Sequence, residues 1–142
     1  MWHEEFSLEI DTTKEKVWSL WADVKNWNKW NIAVEYSNLN GIFKNGTHGS
    51  IKTSDGSEAL FLYFELKNCV KNKSFIERVK LPLGVIDFGY ELTDEGQKLR
   101  IKHNIKIYGP LAFYYMKKIG YYAAKCLQPS VKKLAGMAGK NK

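Results

Sequence analysis

The sequence predicts an α+β domain in which a curled antiparallel sheet of seven strands surrounds a long C-terminal helix, in the order β-α-α-β6-α. Three observations predict it: a helical segment follows the first strand directly, short alternating strands fill the middle of the chain, and the last third holds a long amphipathic stretch. The length of 142 residues suits one domain, residues 1–142, without linkers or repeats.

The opening of the chain predicts a strand followed by two helices. Apolar and polar residues alternate in the first strand, with Phe6, Leu8 and Ile10 on the covered side. Thr12 and Glu15 then match the N-cap and N3 positions of a capping box. Residues 23–31 are expected to form a second, short helix that carries Trp27 and Trp30 on one side.

Turn residues divide the middle of the chain into six strands. The turns are expected at Asn45-Gly46, Asp55-Gly56, Lys71-Asn72-Lys73, Leu81-Pro82-Leu83-Gly84 and Asp94-Glu95-Gly96. The segments between them are too short for crossover helices, so neighbouring strands should pair antiparallel. The strand that begins near residue 59 is apolar on both faces, and its inward register stays open.

The last two strands alternate most regularly. One face of the final strand carries Leu99, Ile101, His103, Ile105 and Ile107, while Lys98, Arg100, Lys102, Asn104 and Lys106 face the other way. The preceding strand carries four residues on its covered face: Ile86, Phe88, Tyr90 and Leu92. One face of the sheet is therefore expected to be buried and the other solvated.

A helix of roughly 25 residues should begin after Gly109-Pro110 and end near Leu134. Its inner face is small in the middle, at Gly120, Ala123 and Ala124, and this predicts a space between helix and sheet. The alternative is close packing against bulky strand residues. Pro129 should bend the helix, and residues 135–142 should fray.

Composition constrains the partners and the compartment. The net charge of +7 favours anionic partners without choosing among them. No N-terminal signal peptide is visible, and Cys69 and Cys126 stand in no metal or redox spacing, so free thiols and a cytoplasmic location are expected. No apolar run is long enough to span a membrane.

The residues from Phe6 to Trp18, the Asp23-x3-Trp27-x2-Trp30 cluster and the long terminal helix together resemble the START-like, helix-grip (SRPBCC) superfamily, in its polyketide cyclase/dehydrase and lipid-transport branch. The resemblance covers nearly the whole chain and implies a deep cavity between sheet and helix for a hydrophobic molecule. Many members are binders and a minority are enzymes. No catalytic motif of a characterised subgroup is recognisable here.

Binding or transport of a lipid- or polyketide-like molecule is therefore the favoured function. The ligand-binding candidates are the residues expected to face the cavity, with Trp30 at its rim: Trp30, Tyr63, Phe88, Tyr90, Ile101, His103, Ile105, Met116, Gly120, Ala123 and Leu127. The alternative interpretation of the tryptophans is core packing. No cofactor is implied.

Two other functions remain open. In a cyclase or dehydratase, His103 would be the acid or base, although a histidine on an apolar face is otherwise a hydrogen-bonded core residue. Lys118, Lys125 and Lys132, flanked by tyrosines, could contact an anionic membrane or partner, or simply form a solvated helix face. Neither a nucleic-acid-binding motif nor a metal-ligand spacing among His3, His48 and His103 is present.

Overall fold

The computed structural model of the chain describes residues 1–54 and 60–139. The elements follow one another as β1 (Trp2–Ile10), α1 (Lys14–Ala22), a 3-10 helix (Val24–Lys29), β2 (Val34–Leu39), β3 (His48–Thr53), β4 (Phe61–Val70), β5 (Ser74–Leu81), β6 (Gly84–Glu95), β7 (Lys98–Tyr108), α2 (Ala112–Tyr115), a π-helical segment (Met116–Gly120) and α3 (Tyr121–Gly139). The last three form one continuous C-terminal helix. The predicted element order is confirmed.

The seven strands form a single antiparallel sheet in the order β1-β7-β6-β5-β4-β3-β2. Consecutive strands pair from β2 to β7, as short turns require, and β1 closes the far edge by pairing with β7. Four of the five predicted turns lie between strands, and the fifth, Asp55-Gly56, lies outside the described residues. In β4 the even positions Leu62, Phe64 and Leu66 are buried, which settles its register.

The start of α1 differs from the prediction by one residue. Thr13, not Thr12, is the N-cap, and its side chain accepts a hydrogen bond from the backbone N–H of Lys16. The hydroxyl of Thr12 instead donates to the carbonyl of Ala138, at 3.1 Å. This bond ties the end of α3 to the start of α1, so the helix continues through Gly139 where the sequence suggested a frayed tail.

The C-terminal helix packs closely on the sheet at Gly120. A Cβ atom there would lie 2.8 Å from a ring carbon of Trp2 and 2.9 Å from Cδ1 of Ile107. The space predicted opposite Gly120 is therefore filled, because the ring of Trp2 from the first strand occupies it. Gly120 is also the last residue of the π-helical segment, a local irregularity of a kind that often accompanies functional sites.

Candidate functional site

A narrow cleft remains between sheet and helix one turn beyond Gly120, at Ala123. Its first part has a volume of about 50 Å³. The wall is mainly apolar and comprises Val34, Ile51, Leu62, Phe88, Ile119 and Ala123. Lys118 and Tyr122 of the helix and Thr53 of β3 also border it. The π-helical segment thus supplies two of the lining residues, Lys118 and Ile119.

A second space of about 40 Å³ adjoins the first and shares Phe88, Tyr90 and Ala123 with it. It extends along the helix to Leu127 and along β7 to His103. Each volume holds roughly a few water molecules, whereas small-molecule sites typically measure about 300–1,000 Å³. A larger guest therefore requires the lining side chains or the helix to move.

The polar end of the cleft is a hydrogen-bonded pair, Glu77 of β5 and Tyr90 of β6. The Tyr90 hydroxyl donates to Oε1 of Glu77 over 2.7 Å, and both residues line the first space. Glu77 is 2% exposed. Burial raises the pKa of its carboxyl to about 7, although the bond from Tyr90 acts in the opposite direction. The cleft therefore presents a carboxyl group that can gain or lose a proton near neutral pH.

His103 lies behind Tyr90, within a cluster of aromatic rings. Its Nε2 accepts a hydrogen bond from the indole Nε1 of Trp21 at 3.3 Å, and its ring stands edge-on to Tyr90 at 4.7 Å. Burial lowers the pKa of His103 to about 3. The imidazole is therefore neutral at physiological pH and acts as an acceptor inside the core.

The structure brings together six of the predicted binding residues and places five elsewhere. Those that border the cleft are Phe88, Tyr90, His103, Ile105, Ala123 and Leu127. Ile101, Met116 and Gly120 are not among the lining residues. Two placements are wrong: Trp30 is 1% exposed and lies in the core rather than at the rim, and Tyr63 is 73% exposed on the outer face of the sheet.

These two errors have separate causes. Tyr63 lies between the buried Leu62 and Phe64 in β4, and successive strand residues face opposite sides, so its side chain points outward. The sequence had left this register undecided. Trp30 packs against Trp27 and His103, which draws the 3-10 helix into the core. Its indole N–H has no hydrogen-bond acceptor among the described residues.

Glu77, the buried acid of the cleft, is absent from the residues predicted from the sequence. A signal was available in the alternation of β5, where Phe75, Glu77 and Val79 share the covered face. A carboxylate between two inward apolar residues is costly unless it is partnered or functional. Asn31 and Tyr122 were also missed, and the latter shares a 2.9 Å hydrogen bond with the hydroxyl of Ser54.

The basic side of the C-terminal helix has mixed surroundings. Lys125 and Lys132 are exposed, and Lys118 borders the cleft. Tyr115 is buried, and its hydroxyl donates to the carbonyl of Pro82. No helix in the described part of the chain is both long and apolar enough to cross a membrane. Nor do the described residues contain a group of three or more His, Cys, Asp or Glu side chains able to hold a metal ion.

Neither the protein-family models nor the curated proteins contain a match to this chain. Solved structures do match it. The protein TTHA0849 from Thermus thermophilus has 11% sequence identity and a TM-score of 0.74, with 96% of each chain covered. Norcoclaurine synthase from Thalictrum flavum, solved with dopamine and hydroxybenzaldehyde, has 13% identity and a TM-score of 0.71, covering 99% of this chain and 88% of that one.

The di-domain ARO/CYC protein StfQ from the steffimycin biosynthetic pathway has a TM-score of 0.80 at 9% identity. The match covers 97% of this chain and 50% of that one, so this chain spans half the length of StfQ. At such identities the likeness concerns the fold, and it agrees with the antiparallel seven-stranded sheet and long C-terminal helix described above. The chain therefore adopts the helix-grip α+β fold.

Proposed function

We propose that this protein binds a small, mainly apolar molecule in the cleft between the sheet and the C-terminal helix. The observation that carries the proposal is the arrangement of a hydrogen-bonded acid at the end of an apolar cleft, Glu77 with Tyr90. Apolar walls with a few converging polar groups are typical of small-molecule sites. Solved proteins of the same fold include one with two aromatic ligands bound, which supports this use of the fold.

The small volume limits the class of ligand. The two spaces of about 50 and 40 Å³ meet at Phe88, Tyr90 and Ala123, so a guest that separated these side chains would join them. A ligand with one flat or narrow apolar part and one hydrogen-bonding group suits the site better than a two-chain lipid. Its polar group would meet Glu77, and apolar burial would supply roughly 25 cal/mol per Å² before the costs of association.

Filling the cleft should abolish this binding. We expect Ala123→Phe to block uptake, because Ala123 borders both spaces. Gly136→Phe is the matched control: it adds the same side chain to the same helix, where a Cβ would meet nothing within 4 Å. Native mass spectrometry of the two purified variants and the wild type, followed by solvent extraction, measures the retained ligand.

The wild type and Gly136→Phe should carry the same copurified molecule, and Ala123→Phe should carry less than about a tenth of it. Equal retention in all three proteins would place the ligand outside the cleft. A wild-type protein that takes up no small apolar molecule, either from its host or from an added set, would contradict the proposal.

An enzyme is the second candidate, and Glu77 rather than His103 is the residue that favours it. A carboxyl group with a pKa of about 7 is suited to proton transfer at neutral pH, whereas His103, with a pKa of about 3, stays neutral. Glu77 as its carboxylate would take a proton from the carbon beside a bound carbonyl. The Tyr90 hydroxyl, which donates to Glu77 in this structure, would turn its single O–H to the carbonyl oxygen as that oxygen gains negative charge.

Deuterium exchange at the methyl group of acetophenone in D2O, followed by NMR, tests this chemistry without knowledge of the natural substrate. Wild type and His103→Gln should accelerate the exchange. The exchange rate with Glu77→Gln should be lower than that of the wild type by at least about a hundredfold, the usual range for a general base. An exchange rate in the wild type equal to that of buffer, or of Glu77→Gln, would leave binding as the function.

A further inference from the structure

A second surface, formed by residues that do not line the cleft, consists of exposed apolar side chains where the β5–β6 turn meets the start of the C-terminal helix. This apolar corner comprises Leu83, Leu111, Phe113 and Tyr114, which are 64%, 37%, 66% and 51% exposed. We propose that the apolar corner docks on the surface of an anionic phospholipid bilayer.

The apolar corner is a rigid feature of the fold. The backbone N–H of Leu111 donates to the carbonyl of Leu83 at 2.8 Å, and the buried Tyr115 donates its hydroxyl to the carbonyl of Pro82 at 2.7 Å. At Gly109, with φ of +106°, a Cβ would lie 2.9 Å from the Cα of Gly84, so the two segments approach too closely for another residue. The backbone that carries the exposed side chains is thus fixed before any partner arrives, and docking need not order the segment.

The backbone conformation of Leu83 is a second indication that the exposed apolar corner serves in binding. It adopts a left-handed backbone with φ of +56°, which glycine and asparagine tolerate far better than leucine. Neither the turn nor the core benefits from a leucine whose side chain is 64% exposed. A residue that is unfavourable for the fold, in both conformation and exposure, is consistent with a role in binding.

The lysines around the apolar corner indicate that the surface on which it docks is anionic. Lys117 places its ammonium 4.3 Å from the centre of the Phe113 ring, and Lys80 is exposed just before the turn. Lys118 follows Lys117 and is exposed, and the whole chain has a net charge of +7. Aromatic and aliphatic residues surrounded by lysines suit the headgroup region of an anionic bilayer.

The size of the apolar corner favours a bilayer over a protein partner. A stable protein interface buries about 800 Å² on each side, which four partly exposed side chains do not supply by themselves. Shallow insertion of a few side chains into the boundary between headgroups and acyl chains requires no such area. The proposal does not depend on the cleft being occupied.

Vesicle cosedimentation with matched variants tests the proposal. Phe113→Ser should weaken binding to phosphatidylcholine vesicles containing phosphatidylglycerol about tenfold, since the inserted ring is lost. The control is Phe61→Ser: Phe61 is 61% exposed and also lies near a lysine, but it belongs to the outer face of the sheet and should not matter. Binding should be weak on pure phosphatidylcholine and should fall as salt shortens the Debye length from about 10 Å to about 3 Å.

Leu83→Asn separates docking from stability, because the two should change in opposite directions. Asparagine relieves the left-handed backbone, so the melting temperature should rise by about 3 °C, while vesicle binding should fall several-fold. A rise in stability with unchanged vesicle binding would overturn the proposal, as would equal losses in Phe113→Ser and Phe61→Ser. Self-association that Phe113→Ser abolishes, without vesicle binding by the wild type, would instead make the corner a contact between copies of the chain.

Discussion

Glu77→Gln should become more stable relative to the wild type as the pH rises, by about 3 kcal/mol between about pH 4 and pH 8. Burial raises the pKa of Glu77 from 4.5 to about 7, so between these values the folded protein holds a proton that the unfolded chain has released. The wild type therefore loses stability as the pH rises through this window, and loses no more above it. Glutamine cannot ionise, and its side-chain oxygen can still accept the hydrogen bond from Tyr90.

Urea unfolding of both proteins at matched pH values measures the difference. The exposed Glu4 gives a control, since Glu4→Gln removes the same charge from the surface. The decisive quantity is how the gap between Glu77→Gln and wild type changes with pH, because the substitution also has a fixed cost that does not depend on pH. A gap that stays constant within about 0.5 kcal/mol would show that Glu77 keeps an ordinary pKa in the folded protein.

The fold was largely predictable from the sequence because its signals are local and repeated. In β7 the apolar residues from Leu99 to Ile107 occur at every second position, and the structure buries all of them, His103 included. The Lys71-Asn72-Lys73 and Asp94-Glu95-Gly96 turns separate strands because Asn72 and Gly96 adopt positive φ. Alternation and turn residues are sufficient to predict these strands and turns, whichever residues pack against them.

The cleft was harder to predict because its shape depends on contacts between residues distant in sequence. Gly120 suggested a space, but whether that space exists depends on Trp2, more than a hundred residues earlier in the chain. Likewise Thr12 and Thr13 are equivalent as caps until the carbonyl of Ala138 accepts a bond from one of the two hydroxyls. The π-helical segment that carries Lys118 and Ile119 into the cleft has no pattern of its own in the sequence.

Glu77 differs from these cases, since its position was available from the alternation of β5. An inward acid between Phe75 and Val79 interrupts the apolar alternation of the covered face, and such interruptions are expected at functional or strained positions. His103 breaks the pattern in the same way but has a different role, because Trp21 supplies it with a donor and aromatic rings surround it. The structure distinguishes two buried polar residues that the sequence presents alike.

His103→Gln should gain stability relative to the wild type as the pH falls, the opposite direction to Glu77→Gln. Burial lowers the pKa of His103 from 6.5 to about 3, so at acidic pH the unfolded chain binds a proton that the folded protein does not. The wild type therefore loses stability as the pH falls from about 6.5 to about 3, by as much as about 5 kcal/mol from this group. Glutamine does not titrate and can still accept a hydrogen bond from the indole N–H of Trp21. The stability of the variant relative to the wild type should therefore rise as the pH falls through that range.

The two groups act against each other in the same molecule. Between about pH 4.5 and pH 6.5 the loss caused by Glu77 as the pH rises is offset by the gain from His103, so their combined effect on the wild type is nearly flat. Urea unfolding of His103→Gln should reveal the falling limb due to Glu77, and Glu77→Gln the rising limb due to His103. If the stabilities of the two single variants instead change with pH in parallel, Glu77 and His103 do not have the pKa values that their burial requires. Glu77 would then not be the proton-transfer group of the cleft.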